Sequence, residues 1–219
     1  DLGISIITSA IDKHLWNKGC EIAEAHTNVF ASVGLDPTQF SECEFAIEWI
    51  RSNKERLVAI GESGLDHYLI RDHKERELQE SCFRSLIALA KEFELPRQVH
   101  SRSAGRKALE VLKSCDASDV HMHAFDGKSS LARTASRDLG FYFSIPPSVV
   151  RSPQKRKLAR LSFMEGAATW LRHRLFMMNP GDWRPNEVVT QWITLPTPRE
   201  LPTGEEQIIR RRRITHKLR

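Results

Sequence analysis

Short apolar runs alternate with longer amphipathic stretches through residues 1–165, and this alternation constrains the fold more than any other feature. Each run is short and ends in polar or small residues, which is typical of a strand buried on both faces. The predicted strands are Ile4–Thr8, Val29–Val33, Leu57–Gly61, Pro96–His100, Val120–Ala124 and Phe141–Ile145. Strands that alternate with helices in this way indicate a parallel sheet with crossover helices.

The stretches between the predicted strands carry apolar residues at helical spacing. The predicted helices are Glu42–Asn53, Lys74–Phe93, Ala104–Ser114 and Ser129–Leu139. The first has an apolar stripe of Phe45, Ile47, Trp49 and Ile50. The second has a stripe of Leu78, Cys82, Phe83, Leu86, Leu89, Ala90 and Phe93. Since no GxGxxG segment follows the first strand and no P-loop is present, the pattern favours a barrel over an open nucleotide-binding sheet.

Three potential metal ligands lie where predicted strands end. Glu62, His100 and His123 lie at the C-terminal ends of three successive strands, where the reactive groups of parallel barrels are found. Neighbouring strands are about 4.8 Å apart, so these side chains can converge on one ion. A carboxylate and two imidazoles without a thiolate suit Zn²⁺, Mn²⁺ or Mg²⁺. One histidine after a strand is more often a core residue, but three ligands at matched ends favour a metal site.

Three neighbouring residues have two interpretations each. His121 shares a strand face with His123 and is either a rival ligand or a neighbour. Asp66 either shapes the loop after Gly64 or orients a ligand or substrate. Arg102 is either a phosphate clamp or one side of a surface ion pair.

Four ordered segments resemble signatures of the TatD family of metal-dependent deoxyribonucleases. They are Ala59–Asp66, His100–Arg106, His123–Gly127 and Gly140–Ser148 with Arg151 and Ser152. The last of these is similar to the TatD domain-containing 3 branch. The resemblance covers about residues 1–163 and implies a TIM-like (β/α) barrel of the metallo-dependent hydrolase type. It also implies hydrolysis of phosphodiester bonds in DNA, with Glu62, His100 and His123 holding divalent metal and two ions in an intact relative.

The sequence departs from this family at three places. No Asp-x-His-x-His segment precedes Ile4, so we expect an incomplete barrel without its first strand. Asp36 stands where the family has histidine, and Asn179 stands at the position of a catalytic, metal-binding aspartate. Because a neutral amide is a weaker ligand and cannot accept a proton from water, we expect weaker metal binding and impaired activity.

Charge divides the chain at Glu165. Residues 1–165 hold 23 basic and 23 acidic side chains, whereas residues 166–219 hold 10 basic and 5 acidic ones. We therefore predict a partial barrel domain over 1–165 and a divergent Pro-, Trp- and Arg-rich segment over 166–219, solvated or partly disordered. The basic excess lies outside the barrel, so phosphate recognition there depends on local groups such as Arg102 and a bound metal.

Two features bear on the compartment. No apolar run approaches the roughly 20 residues of a membrane-spanning helix, and no secretory leader is evident. The four cysteines are widely spaced without a CxxC pair, so free thiols in a reducing compartment are expected. The sequence therefore predicts a cytoplasmic or nuclear protein rather than a secreted or membrane-embedded one.

The leading functional prediction is a metal-dependent hydrolase that acts on a DNA substrate. One alternative is an amidohydrolase-type barrel enzyme that acts on a small amide or ester, because similar ligand sets activate water in both chemistries. Another is a non-catalytic nucleic-acid-binding remnant that uses the arginine run at 210–213.

Overall fold

One sheet of six parallel strands organises the protein in our computed structural model, which describes residues 6–144, 149 and 151–164. The strands are β1 (Ile6–Ala10), β2 (Val29–Val33), β3 (Leu57–Gly64), β4 (Arg97–His100), β5 (Val120–Met122) and β6 (Tyr142–Phe143). They lie side by side in sequence order, and every neighbouring pair is parallel. Each strand is added to the same edge of the sheet as the one before, as in a (β/α) barrel. In a doubly wound sheet the strand order reverses part of the way through. The predicted α/β fold of TIM-barrel type is confirmed.

Helices connect the strands and cover the sheet. They are α1 (Trp16–Ala25), α2 (Cys43–Asn53), α3 (His73–Glu92), α4 (Gly105–Ser114), α5 (Ser129–Leu139) and α6 (Pro153–Met164). The Asp72 carboxylate caps α3 by accepting from the Glu75 amide at 3.0 Å. The four predicted helices are present, while α1 and α6 were not predicted. In α1 only Trp16, Gly19 and Cys20 are buried, so its apolar stripe is too narrow to give a clear period.

The first strand differs from its prediction. The apolar run predicts Ile4–Thr8 and burial on both faces, whereas β1 continues to Ala10; Ile4 and Ser5 lie outside the described residues. Ile6 and Ile7 are 49% and 40% exposed. Ile6 pairs with Val29 and Ala10 with Val33, so hydrogen bonding to β2 sets this register rather than the hydrophobic run.

The predicted stripes of α2 and α3 are confirmed at most positions, but one residue of each is exposed. Phe45 is 53% exposed on α2, whereas Ala46 and Ile50 are fully buried. On α3, Leu78 is 57% exposed and the neighbouring Gln79 is only 1% exposed. A polar residue therefore occupies a core-facing position of α3.

The cysteine prediction is wrong for two of the four thiols. Cys43 at the start of α2 and Cys82 within α3 form a disulfide, with Cα atoms 5.6 Å apart. Cys82 is nevertheless buried in the helix face, as expected. Cys20 and Cys115 are free. Sequence spacing gave no sign of the pair because the two cysteines are 39 positions apart and meet only when the two helices pack in the folded state.

Some predictions concern residues that the structure does not describe. The sequence also offers a possible strand at Arg174–Met178. That segment, Asn179 and the arginine run at 210–213 all lie outside the described residues. The domain boundary at 165 stays a prediction. Among the helices that the structure describes, none is both long and apolar enough to cross a bilayer.

Two glycines allow β3 to approach β4 closely at the sheet edge. Gly61 and Gly64 have φ values of +146° and +150°, which side chains rarely adopt. A Cβ on Gly64 would overlap the carbonyl oxygen of His100, and one on Gly61 would overlap that of Gln98. Gly64 pairs with His100 in the register of the two strands. Glycine at position 64 is therefore needed for the carboxyl ends of β3 and β4 to meet.

We expect Gly64→Ala to destabilise the fold by more than the about 1–3 kcal/mol of backbone strain, because the methyl group also collides with β4. Urea unfolding measures the difference. Gly140→Ala is the matched control, since Gly140 has a φ of +71° but no atom within 4 Å of a built Cβ. Equal costs for the two substitutions would show that the contact between β3 and β4 is not tight.

A charged cluster joins α3 to α4. Glu80 accepts hydrogen bonds from the Arg84 guanidinium at 2.8 and 3.0 Å and lies 2.8 Å from the Lys107 ammonium. Burial acts to raise the pKa of Glu80, but the hydrogen bonds from Lys107 and Arg84 outweigh it, so the pKa lies below its usual value of 4.5. The cluster therefore favours the ionised carboxylate in the folded state.

The lowered pKa predicts that Glu80 stabilises the fold above pH 4.5 and that this contribution is lost as the pH falls through the folded-state pKa. Glu80→Gln is expected to cost about 0.5–1 kcal/mol at pH 7 and nothing in strong acid. Unfolding free energies measured across this range test the expectation, with the exposed Glu48→Gln on α2 as control. A cost for Glu80→Gln that persists in acid would contradict it.

Candidate metal centre

Glu62, Asp66 and His100 meet at the carboxyl ends of β3 and β4. The Nδ1 atom of His100 lies 2.9 Å from Glu62 Oε1, and its Nε2 atom lies 3.0 Å from Asp66 Oδ2. Glu62 lies within the last residues of β3, because the strand continues past the predicted end at Gly61. Its backbone amide also donates to the Ser9 hydroxyl on β1 at 3.2 Å. Two of the three predicted metal ligands are therefore in direct contact.

The two carboxylates favour a protonated His100. Burial opposes the charged imidazolium, but hydrogen bonds and Coulomb attraction from Glu62 and Asp66 outweigh burial and raise the pKa of His100 above 6.5. The same negative surroundings attract a cation. Since a metal ligand must be the neutral imidazole, a divalent ion at this place would replace a proton.

Asp66 is buried and holds both His100 and the following loop. Its side chain is 5% exposed, and its Oδ1 atom accepts from the amides of Tyr68 at 3.0 Å and Leu69 at 2.9 Å. Its other oxygen contacts His100. Asp66 thus shapes the loop and orients the imidazole at once. A direct contact between Asp66 and substrate stays a prediction.

Gln79 supports Asp66 from α3 and was not identified from the sequence. Its Oε1 atom accepts from the Asp66 amide at 3.1 Å, and its Nε2 atom donates to the Pro37 carbonyl at 2.8 Å. A buried side-chain amide that uses both ends fixes the loop between β3 and α3. The sequence does hold one signal for it. Gln79 lies three positions before Cys82 and four before Phe83, so it shares the core-facing side of α3 with them despite being polar.

His123 lies beside His100 through the pairing of β4 and β5. Val99 pairs with Met122, and the His123 amide donates to the Val99 carbonyl at 2.9 Å, so the next residues on each strand are neighbours. The His123 ring is edge-on to His121, with 6.3 Å between centroids. Burial and the neighbouring His123 lower the pKa of His121 to about 3, so His121 is neutral. His121 therefore stays open as a rival ligand.

The donor set fits a divalent metal in part. The Glu62 carboxylate and the His100 imidazole are oxygen and nitrogen donors of the kind that Mg²⁺, Mn²⁺ and Zn²⁺ accept, and their side chains are 15% and 26% exposed. Within residues 6–144, 149 and 151–164, however, no group of three or more His, Cys, Asp or Glu side chains is arranged to hold an ion. In this part of the chain Glu62 and His100 are in contact, and the set of Glu62, His100 and His123 as metal ligands stays a prediction.

Arg102 contacts an aromatic ring rather than an acid. Its guanidinium carbon lies 3.9 Å from the centroid of the Tyr68 ring, and among the described residues no carboxylate pairs with it. The surface ion pair considered from the sequence is therefore not formed in that part of the chain. Phosphate binding by Arg102 stays a prediction.

The Asp36 side chain, which stands where the family has histidine, is hydrogen-bonded to Thr38. Its Oδ1 atom accepts from the Thr38 amide at 2.7 Å and from the Thr38 hydroxyl at 2.5 Å, so it caps the short 3-10 helix Pro37–Glu42. The carboxylate that stands in place of the family's histidine thus has a local structural role.

Comparison with known proteins relates this site to one family. A TATDN3 protein of Mus musculus is 44% identical over 122 residues, covering 54% of this chain and 41% of that protein. Deoxyribonuclease TATDN3 of Homo sapiens is 34% identical over 171 residues, covering 72% of this chain and 62% of that protein. The uncharacterized metal-dependent hydrolase YabD of Bacillus subtilis is 32% identical, covering 69% of this chain and 61% of that protein. The chain thus spans from about two fifths to three fifths of these relatives' lengths.

A solved structure agrees with the sequence relatives. The TatD homologue YJJV of Escherichia coli K12 superposes with a TM-score of 0.62 at 25% identity, covering 70% of this chain and 61% of that protein. The family model for TatD related DNase matches residues 2–165, which is three quarters of the chain. This protein therefore belongs to the TatD-related deoxyribonuclease family.

Proposed function

We propose that this chain is a metal-dependent hydrolase that cleaves phosphodiester bonds in DNA at the site formed by Glu62 and His100. The contact of His100 with two carboxylates at the carboxyl ends of β3 and β4 carries the proposal. Membership of the TatD family and the names of the human and Bacillus relatives support it.

We assign Glu62, His100 and His123 as metal ligands. Mg²⁺, Mn²⁺ and Zn²⁺ all suit this set of donors, and the usual family arrangement holds two ions. Asn179, at the usual aspartate position, lies outside the described residues, and its part in the site stays a prediction. When bound, the ion would polarise the phosphoryl oxygen and make a nearby water molecule a stronger acid.

The residues of the chain then have separate tasks. Accepting a proton from the attacking water falls to the Glu62 carboxylate, because Asn179 at the usual aspartate position cannot accept one. Asp66 fixes the orientation of His100 through their 3.0 Å contact, and Gln79 fixes the loop that carries Asp66. Arg102 stabilises negative charge on the substrate backbone beside the site.

Glu62→Gln is expected to lower DNA cleavage by about 10²-fold or more, because the amide keeps the shape of the side chain but cannot accept a proton and is a weaker ligand. Cleavage of labelled single-stranded and duplex DNA with Mg²⁺, Mn²⁺ or Zn²⁺ measures the effect. Glu110→Gln, an exposed acid on α4, is the matched control. Cleavage that survives both Glu62→Gln and a chelator would contradict the proposal.

Asp66→Asn is expected to weaken metal binding by about 10–100-fold, because the amide keeps the loop contacts but no longer places a charge on His100. Calorimetric titration with Mn²⁺ or Zn²⁺ measures the affinity independently of catalysis. Asp72→Asn is the control, since Asp72 caps α3 and an asparagine retains that cap. Equal affinities for Asp66→Asn and the wild-type chain would remove Asp66 from the site.

A further inference from the structure

An exposed aromatic ring and a cationic plane lie together at the rim of the candidate site. Tyr68 is 50% exposed, and the Arg102 guanidinium lies over one face of its ring at 3.9 Å. We infer that Tyr68 and Arg102 form a nucleotide-binding platform, on which Tyr68 stacks an unpaired base while Arg102 binds the adjoining phosphate. The inference rests on the proposed function and adds a base contact at Tyr68, which the sequence did not reveal.

Tyr68 and Arg102 together match the two parts of one nucleotide, because the ring can stack on a base and the guanidinium can bind a phosphate. Stacked by its face on Tyr68, the planar guanidinium keeps its edge N–H groups available, and those groups match a phosphate in geometry. Within the described part of the chain, no acid or acceptor contacts these N–H groups. The exposed side of Tyr68 offers an apolar surface, and the side chain of the next residue, Leu69, is also 55% exposed. Aromatic rings of this kind bind bases that have left the duplex stack.

The platform is held firmly to the metal ligands. The Tyr68 amide donates to the Asp66 carboxylate at 3.0 Å, and the same carboxylate contacts His100 at 3.0 Å. Arg102 follows His100 by two residues, a span of at most about 7 Å. A base on Tyr68 would therefore belong to a nucleotide at, or next to, the phosphate at the metal centre.

Backbone contacts fix the loop before any ligand binds. The His67 amide donates to the Arg102 carbonyl at 3.0 Å, which joins the loops after β3 and β4. From α3, the Arg76 guanidinium donates to the carbonyls of Ile70 at 2.8 Å and His67 at 3.0 Å. A surface that is already ordered loses little conformational entropy on binding. Leu78 is just as exposed on α3 but has none of these connections, which makes it a suitable control.

Binding to two oligomers tests the inference with the full chain. One is a fluorescent single-stranded DNA oligomer, and the other has the same sugar-phosphate backbone without bases. Anisotropy titrations in a chelator measure affinity without cleavage. We expect Tyr68→Ala to weaken binding of the base-containing oligomer by about tenfold and to leave the abasic oligomer within about twofold. Tyr68→Phe and Leu78→Ala are expected to bind like the wild-type chain.

Arg102→Gln should behave differently from Tyr68→Ala. It should weaken both oligomers and lower the salt dependence of binding by about one phosphate contact. Thermal unfolding of each variant confirms that it remains folded.

Two results would overturn the inference. One is an equal loss for both oligomers on Tyr68→Ala, and the other is no measurable binding of the base-containing oligomer by the wild-type chain. Cleavage assays with metal, run in parallel, report on the proposed function separately. A chain that binds in the expected base-dependent way but never cleaves would retain the platform and lose the nuclease assignment.

Discussion

The close contact between β3 and β4 determines the geometry of the candidate site. Gly64 pairs with His100, and the amide of Leu65 donates to the His100 carbonyl at 3.1 Å. This contact brings the Glu62 carboxylate to one nitrogen of His100 and the Asp66 carboxylate to the other. Because Asp66 also binds the amides of the next loop, the position of Tyr68 depends on the same contact. The positions of Glu62, His100 and Tyr68 therefore all depend on the close pairing of β3 with β4 that Gly64 allows.

The charges of the site explain why the whole barrel need not be basic. Residues 1–165 are charge-balanced, and the site places two acidic side chains, Glu62 and Asp66, around the His100 imidazole. A phosphodiester would be repelled by this group alone. A divalent cation would reverse the sign, and Arg102 adds a positive charge at the rim. Binding of the phosphate at the metal centre would then depend on the metal, whereas Arg102 can bind the neighbouring phosphate without it.

Strand periodicity predicted the sheet and the elements that carry the site. The runs that became β2 and β4 were located almost to the residue, since short buried strands leave compact apolar signals. Consecutive strands are neighbours in a parallel barrel, so the sequence also placed Glu62 and His100 at adjacent strand ends. Periodicity failed on β1, where Ile6 and Ile7 are exposed, and on α3, where Leu78 and Gln79 exchange their expected environments. In both cases the packing of neighbouring elements, rather than local hydrophobicity, fixed the face that is buried.

Loops and long-range pairs could not be predicted, because the forces that fix them act between distant residues. Asp66 follows Gly64 in a segment with no period, so the sequence offered two roles for it without choosing between them. Both roles are seen once β4 presents His100 and α3 presents Gln79. The Cys43–Cys82 disulfide depends in the same way on how α2 lies against α3. Tyr68 is the only Phe, Tyr or Trp in the loop between β3 and α3, a pattern that indicates nothing by itself. Its meaning comes from Arg102, which reaches the same ring from the following strand. Substrate contacts in this fold are thus determined where loops from neighbouring strands meet, and they can be identified only after the strands have been placed.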